Sequence, residues 1–516
     1  MDHLNSLNTT SSYAVSLIIF TLLFYTSYAI LLHPLRQYPG PLLAKLTELF
    51  AGSHAIRKDL HLEILRCHEK YGPVVRLAPN RLIFNSITAL KDIYQNDRVS
   101  KAYTYGNSVR NNADNVFTAR NKDLHRSKRK MIAPALSERA VKAFEPSMED
   151  HTTVYLKQIL EASQSSQPIN MTDSIKYLTL DIVTKLSFGY SLDTQTSEEN
   201  RFVPKALAFG LYRGNIWHHV FFLSRLWVYS VFDRMLGSRE KYSRLLASMI
   251  RSRVARGSNG ERDFYSFISE LGEDTEKVRK GELWWEAHFL VVAGSDTTAT
   301  AVTAAFFYLS RNPECYEKLA EEIRSTFATA QDIKSGPPLK SCHYLRACID
   351  EALRISPSVP GTLWREQDPN DNQPLIIDGN FIPKGTLFGV SSYAIHHNKE
   401  YFPDPFAFKP ERWLEGHALA TKQAHDAFAA FSVGSRSCAG KPMAYLESSL
   451  ILAKTLWYFD FEIAPGNLGG VGGGKVGGLS GRTRPQEFQL EDIFTAKHDG
   501  PYLVFQPRDE YWKDLE

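Results

Sequence analysis

Tyr13 to Leu32 is a run of twenty residues without a charged side chain, rich in Leu, Ile, Phe and Tyr. As a helix it is about 30 Å long, the thickness of a bilayer's hydrocarbon core. It reads as a membrane anchor. A cleaved signal peptide is the competing reading, disfavoured because no Lys or Arg precedes the run and the run is long for a signal core. The first basic residues, Arg36 and Lys45, follow it. The positive-inside rule then makes residues 1–12 a lumenal tail, residues 13–32 the span and the rest cytosolic. Asn8-Thr9-Thr10 and Asn170-Met171-Thr172 are sequons. The first lies hard against the membrane, and the second would face the cytosol and stay bare. Residues 33–41, His33-Pro34-Leu35-Arg36-Gln37-Tyr38-Pro39-Gly40-Pro41, cannot continue a helix and predict a stiff proline-rich hinge.

Residues 42–516 are expected to form one large body. Lys+Arg is 60 and Asp+Glu is 57, so the net charge of +3 gives no reason to expect nucleic acid. The hydrophobic share of 43% suffices for a sizeable core. The 5 cysteines, Cys67, Cys315, Cys342, Cys348 and Cys438, are few, odd in number and not in paired metal spacings. They predict a reducing compartment and no disulfide framework. Leu60 to Tyr71 reads as an amphipathic helix ending at Gly72-Pro73. Val74 to Leu77 and Arg81 to Phe84 flank Pro79-Asn80 as a hairpin. Helical patterning dominates from about residue 125 to 355. Short strands return at Leu375–Ile377, Leu387–Val390 and Tyr502–Phe505.

The chemistry gathers near the C-terminal end, at Phe431-Ser432-Val433-Gly434-Ser435-Arg436-Ser437-Cys438-Ala439-Gly440. Glycines four residues before the cysteine and two after it let a flat ligand approach the backbone. A helical run follows from Lys441 to Trp457, with Pro442 in its first turn. Cys438 therefore precedes a helix N-terminus, whose dipole favours a thiolate. A thiolate can hold haem iron. A lone cysteine is more often a small buried apolar residue, but the five defined positions in these ten residues outweigh that reading. The stretch resembles the haem-binding loop of the cytochrome P-450 superfamily, Phe-x-x-Gly-x-Arg-x-Cys-x-Gly. By that resemblance Cys438 is the axial iron ligand, Arg436 binds a haem propionate and Phe431 covers the thiolate.

Other stretches fit the same family. Ala293-Gly294-Ser295-Asp296-Thr297-Thr298 lies in a helical run, Glu286 to Ser310. Gly294 lacks a side chain, and the threonines can bond back to the preceding turn and bend it. Such a groove admits a small gas molecule. The stretch is similar to the superfamily's oxygen-binding helix, so Asp296 and Thr297 are the expected proton relay. His125 opens a helix and shares a face with Arg129. Similar enzymes carry Trp-x-x-x-Arg there, on a propionate, and this chain has His in place of Trp. Arg126, Lys128 and Lys130 point elsewhere, as a solvated face or as a docking patch for an acidic electron donor. Arg365 matches another propionate-binding arginine, and Ser358 to Leu363 would line the pocket. Glu351-x-x-Arg354, with Arg412 in Pro410-Glu411-Arg412-Trp413, matches the buried triad that supports the haem loop. Phe202 to Phe232 is rich in aromatics, including Phe209, Tyr212, Trp217, Phe221, Phe222, Trp227 and Tyr229. It is the expected roof of an apolar substrate site. His396-His397 lacks a third ligand at helical spacing and is not expected to hold metal. Gly466 to Gly481 lacks the Ser or Thr of a phosphate loop and reads as a flexible surface insertion.

The resemblance implies a mainly α fold with a small β subdomain, the P-450 fold, preceded by one transmembrane helix. It implies haem b, and electrons from NADPH through NADPH-cytochrome P-450 reductase, with cytochrome b5 as a second donor. No flavin or dinucleotide fingerprint occurs in the chain. The expected reaction inserts one atom of O2 into an apolar small molecule at the endoplasmic reticulum membrane, in secondary metabolism of the fungal type. The rivals are a haem-thiolate isomerase or dehydratase that uses no O2, and a non-catalytic haem carrier.

Overall fold

The computed structural model describes residues 2–108, 114–221, 238–256, 263–264, 282–478 and 481–516. The apolar N-terminus is helical over Asp2–Ser27 and ends in a wider turn, Tyr28–Leu32. Ser12–Leu32 is long and apolar enough to cross a bilayer, and only 6% of it is buried. It meets the body through bonds rather than a loose tether. Tyr25 donates its hydroxyl to the Leu46 carbonyl at 2.7 Å, and the fully buried Arg76 donates to the Ala29 carbonyl at 3.0 Å. One ring nitrogen of His33 bonds Asn80 at 3.0 Å. The helix stops at His33 because Pro34 follows, and Arg76 takes up one of the carbonyls that its end leaves open.

The Leu60–Tyr71 helix runs as its spacing predicts, and Gly72 ends it with φ 97°. Its apolar stripe packs on the adjoining sheet and on Trp364. The hairpin of Val74–Ala78 and Arg81–Phe84 also forms as expected. It is one edge of a five-stranded sheet. The spatial order is Val74–Ala78, Arg81–Phe84, Leu387–Val390, Arg365–Gln367, Val99–Lys101. Only the Arg81–Phe84 and Leu387–Val390 pair is parallel. The strands Arg365–Gln367 and Val99–Lys101 escape a reading by pattern because each is only three residues long.

The central helix, Glu282–Leu309, is mostly apolar and is buried along its second half, with Val302, Phe306, Phe307 and Leu309 all buried. A helix this apolar must be enclosed. It is wrapped by the helices Met171–Phe188, His343–Ile355 and Lys441–Tyr458. Part of it, Trp285–Leu309, would also pass as a membrane span by length, but 72% of that stretch is buried, which makes it a core helix. Gly294 sits where the central helix meets Met171–Phe188, and a Cβ there would lie 2.5 Å from Val183 Cγ2. Its missing side chain thus serves helix packing, and Gly294 also lines the central cavity. The helix stays α-helical through Thr298.

Residues 466–478 are not a loose insertion. The N–H groups of Gly474 and Lys475 donate to the carbonyls of Arg484 and Arg482, and Arg311 donates to the Gly469 carbonyl at 2.7 Å. The segment doubles back as a paired arm because its glycines let backbone lie on backbone.

Candidate active site

A cavity of about 740 Å³ opens between the central helix, the Cys438 loop and the helix Phe202–His219. That volume lies in the range of sites for cofactors and small molecules. Cys438 presents its sulfur to this cavity, so it is exposed although protein surrounds it. The following helix, Lys441–Tyr458, starts just after Gly440. Burial pushes the Cys438 thiol up. The N–H groups of Gly440 and Lys441 and the cations of Arg129 and Lys441 pull it down. The dipole argument gave the sign of that second contribution, but burial outweighs it in the free thiol.

The loop is fastened from several sides. Cys438 N donates to the Phe431 carbonyl at 2.9 Å, and Arg129 donates to the Ser437 carbonyl at 2.7 Å. Arg436 donates to the carbonyls of Ala119 and Arg120 at 2.6 and 3.1 Å. Phe431 tilts against Tyr445, ring centroids 4.9 Å apart. Gly434 does not face the cavity. It has φ 79°, and a Cβ there would lie 2.1 Å from the Tyr94 carbonyl oxygen. Glycine is needed for the close approach of that neighbouring helix end, not of a ligand.

Behind the loop Glu351, Arg354 and Arg412 form a fully buried cluster, 0%, 0% and 1% exposed. Glu351 receives Arg354 at 2.8 Å, Arg412 at 3.2 Å, Trp413 Nε1 at 3.0 Å and the Lys409 N–H at 3.0 Å. Arg354 also donates to the carbonyls of His396 and Pro405 at 2.9 and 2.7 Å. His396, set aside as a metal ligand, links this cluster to the loop. Its Nδ1 donates to the Arg354 carbonyl at 3.0 Å, and its Nε2 accepts the Ala429 N–H at 2.8 Å. One nitrogen donating and the other accepting requires a neutral ring. Burial agrees, holding its pKa at about 3. No local signal marks this role, because Arg354 and Ala429 come together only in the fold.

Basic side chains gather along the cavity wall, Lys101, His125, Arg129 and Arg436 among them. The helix bearing His125 spans Lys122–Ile132, so it starts before His125, with Asn121 as its cap. Burial, and then Arg436, Lys101, Arg129 and Arg365, push His125 down to about 4, so it is neutral at pH 7. Arg365 is buried but does not line the cavity. It donates to the carbonyls of Leu363 and Trp364 and lies over the Tyr94 ring. Lys128 is not on a solvated face: it is buried and pairs with Glu286 of the central helix at 3.0 Å. The reason is the packing of this helix on the central one, which turns Lys128 inward. Arg126 and Lys130 are exposed as expected. A cationic wall beside a cysteine at a helix start fits a flat cofactor that carries carboxylates.

Thr297 lines the cavity and donates its hydroxyl to the Ala293 carbonyl at 2.6 Å. Asp296 does not line it. It is buried one layer back, where Thr495 Oγ1 approaches its Oδ2 at 3.4 Å, and burial pushes its carboxyl up. Thr495 itself is on the cavity wall. Above, Phe117 and Phe289 stack at 5.5 Å, and Phe494 meets Phe117 edge-on at 5.6 Å. Phe209 and Trp217 complete this apolar ceiling, whereas Tyr212 donates to the Ile56 carbonyl and Phe221 packs on Tyr103. Phe222, Trp227 and Tyr229 lie outside the described residues. Phe494 has φ 94°, strained for a bulky residue. Asp492 holds it there by accepting the Phe494 N–H at 3.2 Å, and Asn215 of the Phe202–His219 helix clasps Asp492 at 3.2 Å. Burial pushes Asp492 up to about 6.

The exposed sulfur, the basic wall and the apolar chamber together have the makings of an enzyme site for a carboxylate-bearing cofactor and an apolar substrate. The family model for cytochrome P450 matches residues 38–468. Cytochrome P450 monooxygenase AKT7 of Alternaria alternata is 36% identical over 93% of this chain and 94% of its own length. Cytochrome P450 monooxygenase poxM of Penicillium oxalicum is 36% identical over 93% and 91%, and atnE of Emericella nidulans is 33% identical over 92% of each chain. The chain belongs to the cytochrome P450 family. It is a haem b-dependent monooxygenase that draws electrons from NADPH through a reductase and oxidises a small molecule.

Proposed function

We propose that Cys438 holds the haem iron, that Arg436, Arg129, His125 and Arg365 serve the haem carboxylates, and that Phe431 and Gly440 shape the thiolate side. Glu351, Arg354 and Arg412 keep that side rigid. The observation that carries this reading is the Cys438 sulfur facing a cavity whose wall includes Arg129, Arg436, Lys101 and His125. Bound haem supplies the activation of O2. The chain's own residues supply protons and exclude water. Thr297 Oγ1 is the last donor at the wall, and Asp296, kept neutral more readily by burial, restores that proton from behind. The ceiling of Phe117, Phe289 and Phe494 favours an apolar substrate over water.

Further, residues 13–32 anchor the enzyme in the endoplasmic reticulum membrane, with the body in the cytosol. Residues 1–12 form the lumenal tail, residues 33–41 the hinge and residues 42–516 the catalytic body. NADPH-cytochrome P-450 reductase, with cytochrome b5, is the electron donor. The substrate belongs to fungal secondary metabolism, as a polyketide, terpenoid or alkaloid.

Two measurements test the reading. The reduced CO complex absorbs at the long Soret wavelength of a thiolate ligand, and Cys438→Ser abolishes that band. Retention of the band removes Cys438 as the ligand. Thr297→Ala uncouples NADPH consumption from product and releases peroxide. Unchanged coupling refutes its role as proton donor.

A further inference from the structure

Thr297 is turned back into its own helix, where Oγ1 donates to the Ala293 carbonyl at 2.6 Å. The neighbouring acid faces a different element. Asp296 is buried and does not line the cavity. Among the described residues, the hydroxyl that meets its carboxyl is that of Thr495, 3.4 Å from Oδ2. Thr495 is buried too, and it reaches the cavity wall. It therefore touches both the acid and the cavity. A hydroxyl can donate and accept at once, so it can carry a proton between the two. The contact is long, as such bonds often are before a substrate is seated.

Thr495 is held from both directions along the chain. It opens the strand Thr495–Lys497, which pairs with Glu491–Ile493 around Phe494. On the near side Asp492 fixes the Phe494 N–H, at a φ that a bulky residue rarely adopts. On the far side the Ala496 N–H donates to the Ser358 carbonyl at 2.9 Å, and Ser358 Oγ donates to the Thr297 carbonyl at 2.7 Å. His498 adds a further stitch, its Nε2 lying 3.3 Å from Thr300 Oγ1, one turn beyond Asp296. Strain of this kind persists only where the surroundings over-determine it, and it collects at functional sites. The charge acting on Asp296 is Lys176 of the Met171–Phe188 helix, while burial holds His498 neutral. Burial raises the Asp296 carboxyl, and Lys176 and Thr495 oppose that rise.

We propose that Thr495 is a positioning residue for oxygen activation, holding the Asp296 carboxyl and carrying its proton to the cavity. The inference rests on Asp296 being the acid of the relay, and it adds a residue from outside the central helix. The Asp296 O–H bond breaks as its proton moves to Thr495 Oγ1. The proton already on Thr495 passes to a cavity water and on toward Thr297, where the reduction of O2 consumes it. Bulk water returns a proton to the carboxylate.

The test uses the full-length holoenzyme in detergent, as wild type, Thr495→Val, Thr495→Ser and Asp296→Asn. Infrared difference spectra follow the protonated Asp296 carboxyl, identified as the band that Asp296→Asn removes. Its titration midpoint should rise by about one pH unit in Thr495→Val, because the lost donor favoured the ionised form. Thr495→Ser should restore the wild-type midpoint. Equal midpoints in wild type and Thr495→Val overturn the proposal. So does a rise that serine does not reverse, since packing would then be its cause. The carrying step is read from NADPH consumption by enzyme reconstituted with the reductase. Thr495→Val should slow it several-fold, yet add nothing in the Asp296→Asn background. Additive slowing overturns the proposal. Asp296→Asn consuming NADPH at the wild-type rate overturns the relay itself and the proposal with it, whereas the other outcomes leave Asp296 in place. Should Thr495→Val fail to fold, judged by its reduced CO band, Thr495→Ala takes its place.

Discussion

The two sides of the cavity are held by different forces. Beneath it, the Cys438 loop, His396 and the Glu351 cluster are joined by directional bonds from charged and ring groups. Above it, Phe117, Phe289 and Phe494 meet through ring faces and edges. Directional bonds fix one geometry, whereas apolar contacts tolerate re-packing at small cost. A reaction with one cofactor and variable substrates suits that division, because the fixed side holds the chemistry and the adaptable side selects what enters.

The contrast is sharpest at Glu351. Glu351→Ala leaves Arg354 and Arg412 buried without their acid. It should cost about 3–5 kcal/mol, seen as a lower thermal midpoint and loss of haem content. A variant that melted like wild type would end the claim that the lower side depends on charge pairing. Phe494→Ala should do the reverse. Stability and the CO band should hold, while affinity across a panel of apolar compounds changes several-fold, about 1 kcal/mol per lost aromatic contact. An unaltered ranking of the panel would show that Phe494 does not select substrate.

A pH-dependent effect concerns Glu447, which lines the cavity two turns along the helix that follows Cys438. Burial pushes its carboxyl from 4.5 up to about 8. The folded state therefore binds this proton more tightly than the unfolded chain does. Stability from this group is full below pH 4.5, declines as pH rises toward 8, and is level beyond. Glu447→Gln cannot ionise, so its thermal midpoint should gain on wild type through that window. A constant offset between the two would remove Glu447 as the titrating group.

Much of this was legible in the chain. The apolar spacing of Leu60–Tyr71 and its closing glycine set a helix by local rules alone. The Cys438 loop was readable because its defined residues are contiguous. The role of His396 was not, because its partners, the Arg354 carbonyl and the Ala429 N–H, meet only in the fold. Lys128 was misjudged because helix spacing says which residues share a face but not which face meets the core. Gly434 was singled out for the wrong reason, and Gly294 for only part of its role. Sequence shows that a side chain is missing, and only the fold shows that the Tyr94 carbonyl or Val183 takes the space.

Glu351 collects its partners from stretches that leave the ribosome at different times: Arg354 one turn later, then Lys409, Arg412 and Trp413. Until residue 413 is made, that acid and its first arginine cannot be buried together with every bond satisfied. Synthesis order thus makes the scaffold for the cysteine loop a late event. A nascent chain stalled early would be a soft, incomplete shell for chaperones to hold.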